Sequence, residues 1–186
     1  MLEIIQFTLS CLYFFVPAYA ANMAAPLVRN IPAFAFLDVP VDFGRKIRNI
    51  RIFGGHKTWR GVAAAMIIGI VFALAQKWLY QYSWAMEFSI INYKTINIWL
   101  FAVLMALGAV LGDLAAAFVK RRLRLEPGAP FVPWDQTNYV IGGFALLESY
   151  LKLDLNVWIT LFFLTFFLHL LINRLGYDLG LHKAKW

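Results

Sequence analysis

Five long apolar runs, separated by segments that hold nearly all the charge, leave this 186-residue chain little choice of fold. The runs cover about residues 2–25, 61–82, 97–118, 139–153 and 157–175. An apolar helix needs roughly 20 residues to cross the hydrocarbon of a bilayer. Composition agrees: 62% of residues are hydrophobic, 15% are charged, and the mean hydropathy is +0.68. A soluble domain is closer to half apolar and a quarter charged. The expectation is an all-α polytopic membrane protein, a single domain over 1–186 with five transmembrane helices. The first run ends in Ala18-Tyr19-Ala20, which imitates a cleavage site, but Glu3 stands where a signal peptide carries positive charge. It is read as a retained helix that Pro17 bends or loosens.

The formal charge of +7 arises from 17 Lys and Arg against 10 Asp and Glu. In a membrane chain this excess marks the cytoplasmic side, so nucleic acid is not the expected partner. Loop 26–60 holds seven basic residues, loop 119–138 four, and the tail after Asn173 three; the other side holds Lys77, Lys94 and Lys152. That count places both long loops and the C-terminus in the cytoplasm and the N-terminus outside. Trp78, Tyr80, Tyr82 and Trp84 read as an interfacial belt. The lone Cys11 excludes a disulfide framework.

The chemistry concentrates between Gly112 and Asn138. Asp113 stands inside the third apolar run, where an ionisable group is costly and marks a functional site by default. Lys120 follows seven residues later, on nearly the same helical face and about 10 Å along the axis. Gly108 and Gly112 allow a close helix approach. The run Lys120, Arg121, Arg122 and Arg124 would by itself be topogenic. Between Asp113 and Asp135 it suggests polyphosphate with a divalent metal, since Mg²⁺ commonly takes one or two carboxylates plus substrate phosphates. Thr58 is placed to cap the second span in GGHKTWRG, and Lys57 and Arg60 add charge at a helix N-terminus suited to anions. His56 before Lys57 excludes a P-loop. Asn22 reads as a helix–helix hydrogen bond or a pocket residue. Glu148 and Lys152 read as an i,i+4 pair, and His169 as an interhelical hydrogen-bonder. The sequence holds no Ser-His-Asp order, HExxH or GxGxxG, and no transporter repeat.

The blocks PAYAANMAAP, DFG, GGHKTWRG, GDLAAAFVKRR, PG and DQTN, in this order, resemble the CDP-archaeol synthase family, relatives of the bacterial CDP-diacylglycerol synthases. The resemblance implies Asp113 and Asp135 as metal ligands and Lys120 with Arg121 as phosphate contacts. It implies Asn22, Lys57, Thr58, Arg60, Arg122, Gln136 and Asn138 as substrate-binding residues. Ala117, Asn138 and His56 depart from the wider pattern. Asn138 stands where a second carboxylate is usual, which leaves open one Mg²⁺, two, or one with a monovalent partner. The implied partners are CTP, 2,3-di-O-geranylgeranyl-sn-glycerol 1-phosphate and the bilayer of a cell membrane, with the site facing the cytoplasm and a homodimer left open. The implied reaction is attack of the lipid phosphate on the α-phosphorus of CTP, which needs no general base because the nucleophile is already anionic. A CTP-dependent polyprenol or phytol kinase, or a non-enzymatic transporter or assembly subunit, would fit the residues alone.

Overall fold

The computed structural model describes residues 2–28, 31–126 and 128–178. Arg29, Pro127 and the basic tail with His182, Lys183 and Lys185 lie outside the described residues. The elements in order are α1 (Leu2–Val28), a 3-10 helix (Pro32–Leu37), β1 (Lys46–Ile47), β2 (Ile50–Arg51), α2 (Trp59–Leu79), α3 (Ser83–Glu87), α4 (Ile98–Arg122), α5 (Trp134–Leu151) and α6 (Leu155–Asp178). Helices α1, α2, α4 and α6 are long and apolar enough to cross a membrane. The fifth long helix, α5, carries Asp135, Gln136, Asn138 and Glu148 along its 18 residues and is not among those four.

Helix ends follow local chemistry. The Thr58 hydroxyl caps α2 by accepting from the Gly61 N–H at 3.3 Å, and the Asn97 side chain caps α4 by accepting from the N–H groups of Trp99 and Leu100. Three boundaries differ from the hydropathy reading, and each difference matters. Helix α1 continues through Pro17 and Pro26 to Val28. Helix α4 runs to Arg122, so Lys120 and Arg121 are helical and not part of a loop. Helix α5 begins at Trp134, which puts Asp135 in its first turn. In each case the helix outlasts the apolar run because its last polar turns emerge from the hydrocarbon without ending the hydrogen-bond ladder.

The core joins α1, α4, α5 and α6 through aromatic contacts. Phe14 meets Phe101 and Trp158 at 6.0 Å between ring centroids, and Phe15 stacks on Tyr139 at 6.1 Å. Tyr19 and Thr165 share a hydrogen bond of 2.7 Å across α1 and α6. Helix α4 lies against α5 at glycine distance. A Cβ on Gly108 would stand 2.8 Å from the Gly142 carbonyl oxygen, and one on Gly112 would run into the Asn138 carbonyl. The small residues at 108 and 112 thus do what their spacing suggests.

Two pairings differ from expectation. Glu148 accepts a 2.7 Å bond from the Trp158 indole, because Lys152 is the left-handed cap of α5 (φ 50°) and leaves the helical face where an i,i+4 partner would sit. His169 pairs at 3.1 Å with Asn173 on its own helix, not with a neighbour. The all-α expectation also lacked a small antiparallel hairpin, β1–β2, paired Lys46↔Arg51 and Ile47↔Ile50. Its turn residues Arg48 and Asn49 both have positive φ, without the Asn-Gly signature that announces such turns.

The glycine seam generates a test. Gly142→Ala should overpack α4 against α5 and cost roughly 1–3 kcal/mol, lowering the melting temperature in detergent. Leu171→Ala on an exposed face of α6 should leave it nearly unchanged. Equal melting of all three proteins would show that the seam is not tight.

Candidate active site

Residues 38–60 form a folded strap across one end of the bundle. Its organising group is Asp42, whose carboxylate is fully buried. One oxygen accepts from Arg51 Nη2 at 2.7 Å and the Gly44 N–H at 3.0 Å; the other accepts from the N–H groups of Phe53 at 3.1 Å and Gly54 at 3.2 Å. Burial alone would raise the Asp42 pKa, but the Arg51 bond and the three backbone donors outweigh it and hold the carboxyl at about 2. The strap is sewn to the start of α2 by Val41 N–H to the Lys57 carbonyl (2.8 Å), Trp59 N–H to the Val39 carbonyl (2.9 Å), and Arg60 on Asp38 (3.0 Å). Sequence reasoning gave Asp42 no role. The one available signal was the turn-forming Asp-Phe-Gly, in which an Asp bonds backbone two residues on.

Arg122 fastens the strap from the other side. Its guanidinium donates to the carbonyls of Ile47, Ile50 and Arg51 and lies 5.2 Å over the Phe118 ring. The structure therefore places it on the hairpin and not with the expected substrate-binding residues, since position 122 is turned away from the face that carries Asp113 and Lys120.

Those two residues do share a cavity, of about 560 Å³, with Lys57, Arg121 and Asp135. Within it the charges are paired crosswise. Lys57 Nζ sits 2.7 Å from both oxygens of Asp113. Lys120 Nζ sits 3.1 and 2.8 Å from those of Asp135 and 2.6 Å from the Ala129 carbonyl. The Phe131 N–H also donates to Asp135, at 3.0 Å. Asp113 and Asp135 keep 37% and 30% of their side chains exposed, so both remain reachable from solvent. Three fixed cations against two carboxylates leave an excess positive charge, which suits an anionic ligand.

Two further polar chambers adjoin this one. Asn22, Thr58 and Gly61 line a space of about 520 Å³ with Lys57 and Asp113 on its wall. Asp38, Arg60 and Thr58 line another, of about 1090 Å³. His56 borders all three. An apolar groove of about 790 Å³ runs between α4 and α5, lined by Leu111, Ala115, Val119, Phe131, Trp134 and Ile141, and it meets the charged cavity at Ala116. Asn138 lines this groove, and Gln136 is buried beside it in sequence; neither lines the charged cavity. Their side-chain oxygens are buried without a hydrogen-bond partner.

Among the described residues no group of three or more His, Cys, Asp or Glu converges, so an all-protein metal cage is absent. Two carboxylates on one open cavity, beside three cations, is the donor set that Mg²⁺ completes with phosphate oxygens and water. The residues fit such an ion.

A family model described as CarS-like, CDP-archaeol synthase, matches residues 1–186. Proteins named CDP-archaeol synthase from Methanoculleus marisnigri and Methanoregula boonei are 32% and 34% identical, each alignment covering 92% of this chain and 99% of the relative. The one from Pyrococcus furiosus is 30% identical over 96% and 98%. A solved structure described as an intramembrane enzyme for archaeal membrane lipids biosynthesis superposes with a TM-score of 0.66 at 27% identity, covering 87% of this chain and 90% of that one. The chain belongs to the CDP-archaeol synthase family.

Asp42 carries the prediction of this section. Its folded-state pKa lies below its ordinary value of 3.8, so its stabilisation is complete above about pH 4 and fades as pH falls toward 2. The shift corresponds to about 2 kcal/mol. Asp42→Asn should lower the melting temperature at pH 7, and the gap to wild type should narrow between pH 5 and 2.5. Parallel melting curves across that range would rule out the charge as the source.

Proposed function

We propose that this multi-pass membrane protein transfers the cytidylyl group of CTP to the phosphate of 2,3-di-O-geranylgeranyl-sn-glycerol 1-phosphate, giving a CDP-activated ether lipid and pyrophosphate. Family membership supports the activity. The observation that carries the residue assignment is the charged cavity in which Asp113 and Asp135 face Lys57, Lys120 and Arg121, opening beside an apolar groove.

A lipid phosphate oxygen forms the new bond to the α-phosphorus as the bond to the β-phosphate oxygen breaks. The nucleophile is anionic near neutral pH, so no proton has to be removed, which suits a cavity without a carboxylate or imidazole poised as base. Two anions must approach each other, and the work of the protein is neutralisation and alignment. Lys57 and Lys120 each leave a carboxylate to take a phosphate oxygen, and Arg121 provides a planar donor for the departing pyrophosphate. Asp113 and Asp135 would hold a Mg²⁺ ion, which when bound supplies positive charge to phosphate oxygens. The groove between α4 and α5 accepts the isoprenoid chains sideways from the bilayer and leaves the lipid phosphate at Ala116, on the rim of the charged cavity.

Topology follows the same logic. With α5 as the fifth span, the strap and the α4–α5 loop lie on one side, and the excess of Lys and Arg there makes it cytoplasmic, where CTP is found. This orients the protein in the cell membrane with the N-terminus outside.

Asp113→Asn and Asp135→Asn should each reduce Mg²⁺-dependent pyrophosphate release from CTP by about 10²-fold or more, with the lipid product identified by mass as the CDP derivative. Retention of near-wild-type turnover by both variants would remove them from the metal site. A lipid monophosphate product formed with CDP would instead make the protein a CTP-dependent kinase.

A further inference from the structure

We infer that the Asp38–Arg60 pair reads the cytosine base, an assignment that rests on the cytidylyl-transfer reading above. The chamber these residues line is not used by the phosphate chemistry, yet it is continuous with it. It shares Ala25, His56, Thr58 and Gly61 with the chamber of Asn22, and that chamber shares His56, Lys57 and Asp113 with the charged cavity. A nucleotide whose phosphates lie against Lys57, Lys120 and Arg121 therefore has an unbroken path for its ribose past Thr58, ending with its base at Asp38 and Arg60.

The pair has a fixed polarity. A carboxylate only accepts hydrogen bonds and a guanidinium only donates them. Arg60 Nη2 lies 3.0 Å from Asp38 Oδ1, so an acceptor and a donor stand side by side. One contact between them leaves most of the carboxylate lone pairs and guanidinium N–H groups free for a ligand. Cytosine presents the matching edge, an N4 amino donor beside the N3 and O2 acceptors. Uracil presents an O4 acceptor where cytosine has its amino group, and that oxygen would face the Asp38 carboxylate without a proton between them.

Asn22 is the other neutral polar side chain with an amide on this path. An amide turns its oxygen or its nitrogen toward a ligand with equal ease, so it does not separate the two pyrimidines. The backbone also holds the pair in place: the Trp59 N–H bond to the Val39 carbonyl sets the residue after Asp38 against the residue before Arg60. Arg60 is largely buried, at 14% side-chain exposure, while Asp38 keeps 48% and faces the opening.

The test compares wild type with Asp38→Asn, using Mg-CTP or Mg-UTP with the geranylgeranyl ether lipid phosphate and reading kcat/KM from pyrophosphate release. Wild type should favour CTP. Asp38→Asn presents an amide that can donate to uracil O4, so it should lose about tenfold or more on CTP and gain on UTP. Asp38→Glu, which keeps the acceptor, should retain the preference for CTP. If Asp38 only anchors the start of α2, Asp38→Asn will slow both nucleotides alike and keep the wild-type CTP/UTP ratio, which would overturn the assignment. If wild type releases no pyrophosphate from CTP, cytidylyl transfer itself fails. The base site is then decided by thermal stabilisation with CTP against UTP: a preference for CTP that Asp38→Asn abolishes upholds it, and no preference overturns it.

Discussion

The contact on which the rest depends is the close approach of α4 and α5 at Gly108, Gly112 and Gly142. Asp113 and Lys120 belong to one helix and Asp135 to the other. With ordinary side chains between them the two helices would stand farther apart, and the Lys120–Asp135 pair at 2.8 Å would not close. The same seam shapes the apolar groove on its lipid-facing side, where Ala115 and Ala116 continue the row of small residues along α4. One packing decision thus places two carboxylates in a shared cavity and sets a hydrocarbon-lined groove at its edge.

The charged cavity balances its own electrostatics without substrate. Each carboxylate holds one lysine, and about a third of each aspartate remains exposed. Pairs this open to solvent contribute little net stability, because screening and side-chain ordering offset most of the attraction. They are therefore cheap to exchange. A polyphosphate entering with its cation replaces both pairs at once, with lysines moving to phosphate and carboxylates to metal. No bare charge is left behind in the process.

Much of this was legible in the sequence. The membrane class followed from apolar runs that no soluble domain would expose, and Asp113, Lys120, Arg121, Asp135 and Lys57 converge on one cavity as their residue types suggest. Thr58 caps α2 as its position implies. Hydropathy marks where hydrocarbon ends and not where a helix ends, so α4 and α5 outran their apolar runs. Arg122 was misassigned because adjacent basic residues on a helix point about 100° apart, and a motif does not say which of them faces the site. The hairpin was invisible because two-residue strands have no period to detect. Gln136 and Asn138 were drawn in by neighbourhood with Asp135, yet a helix turns its next residues inward.

Why four aspartates at the same end of one bundle do different work comes down to how many of their lone pairs the protein itself consumes. A carboxylate has about four acceptor sites. Asp42 has all of them met, by Arg51 and three backbone N–H groups, so nothing remains for a ligand and its effect is to hold the strap. Asp135 is partly committed, through the Phe131 N–H, which fixes its orientation while Lys120 remains exchangeable. Asp113 is bonded by Lys57 and by no backbone donor, so one lysine movement frees it entirely. Asp38 gives a single oxygen to Arg60 and keeps the rest open. The order of saturation, from Asp42 through Asp135 to Asp113 and Asp38, runs from scaffold to ligand contact. Sequence lists four identical residues; only the count of donors around each one separates their roles.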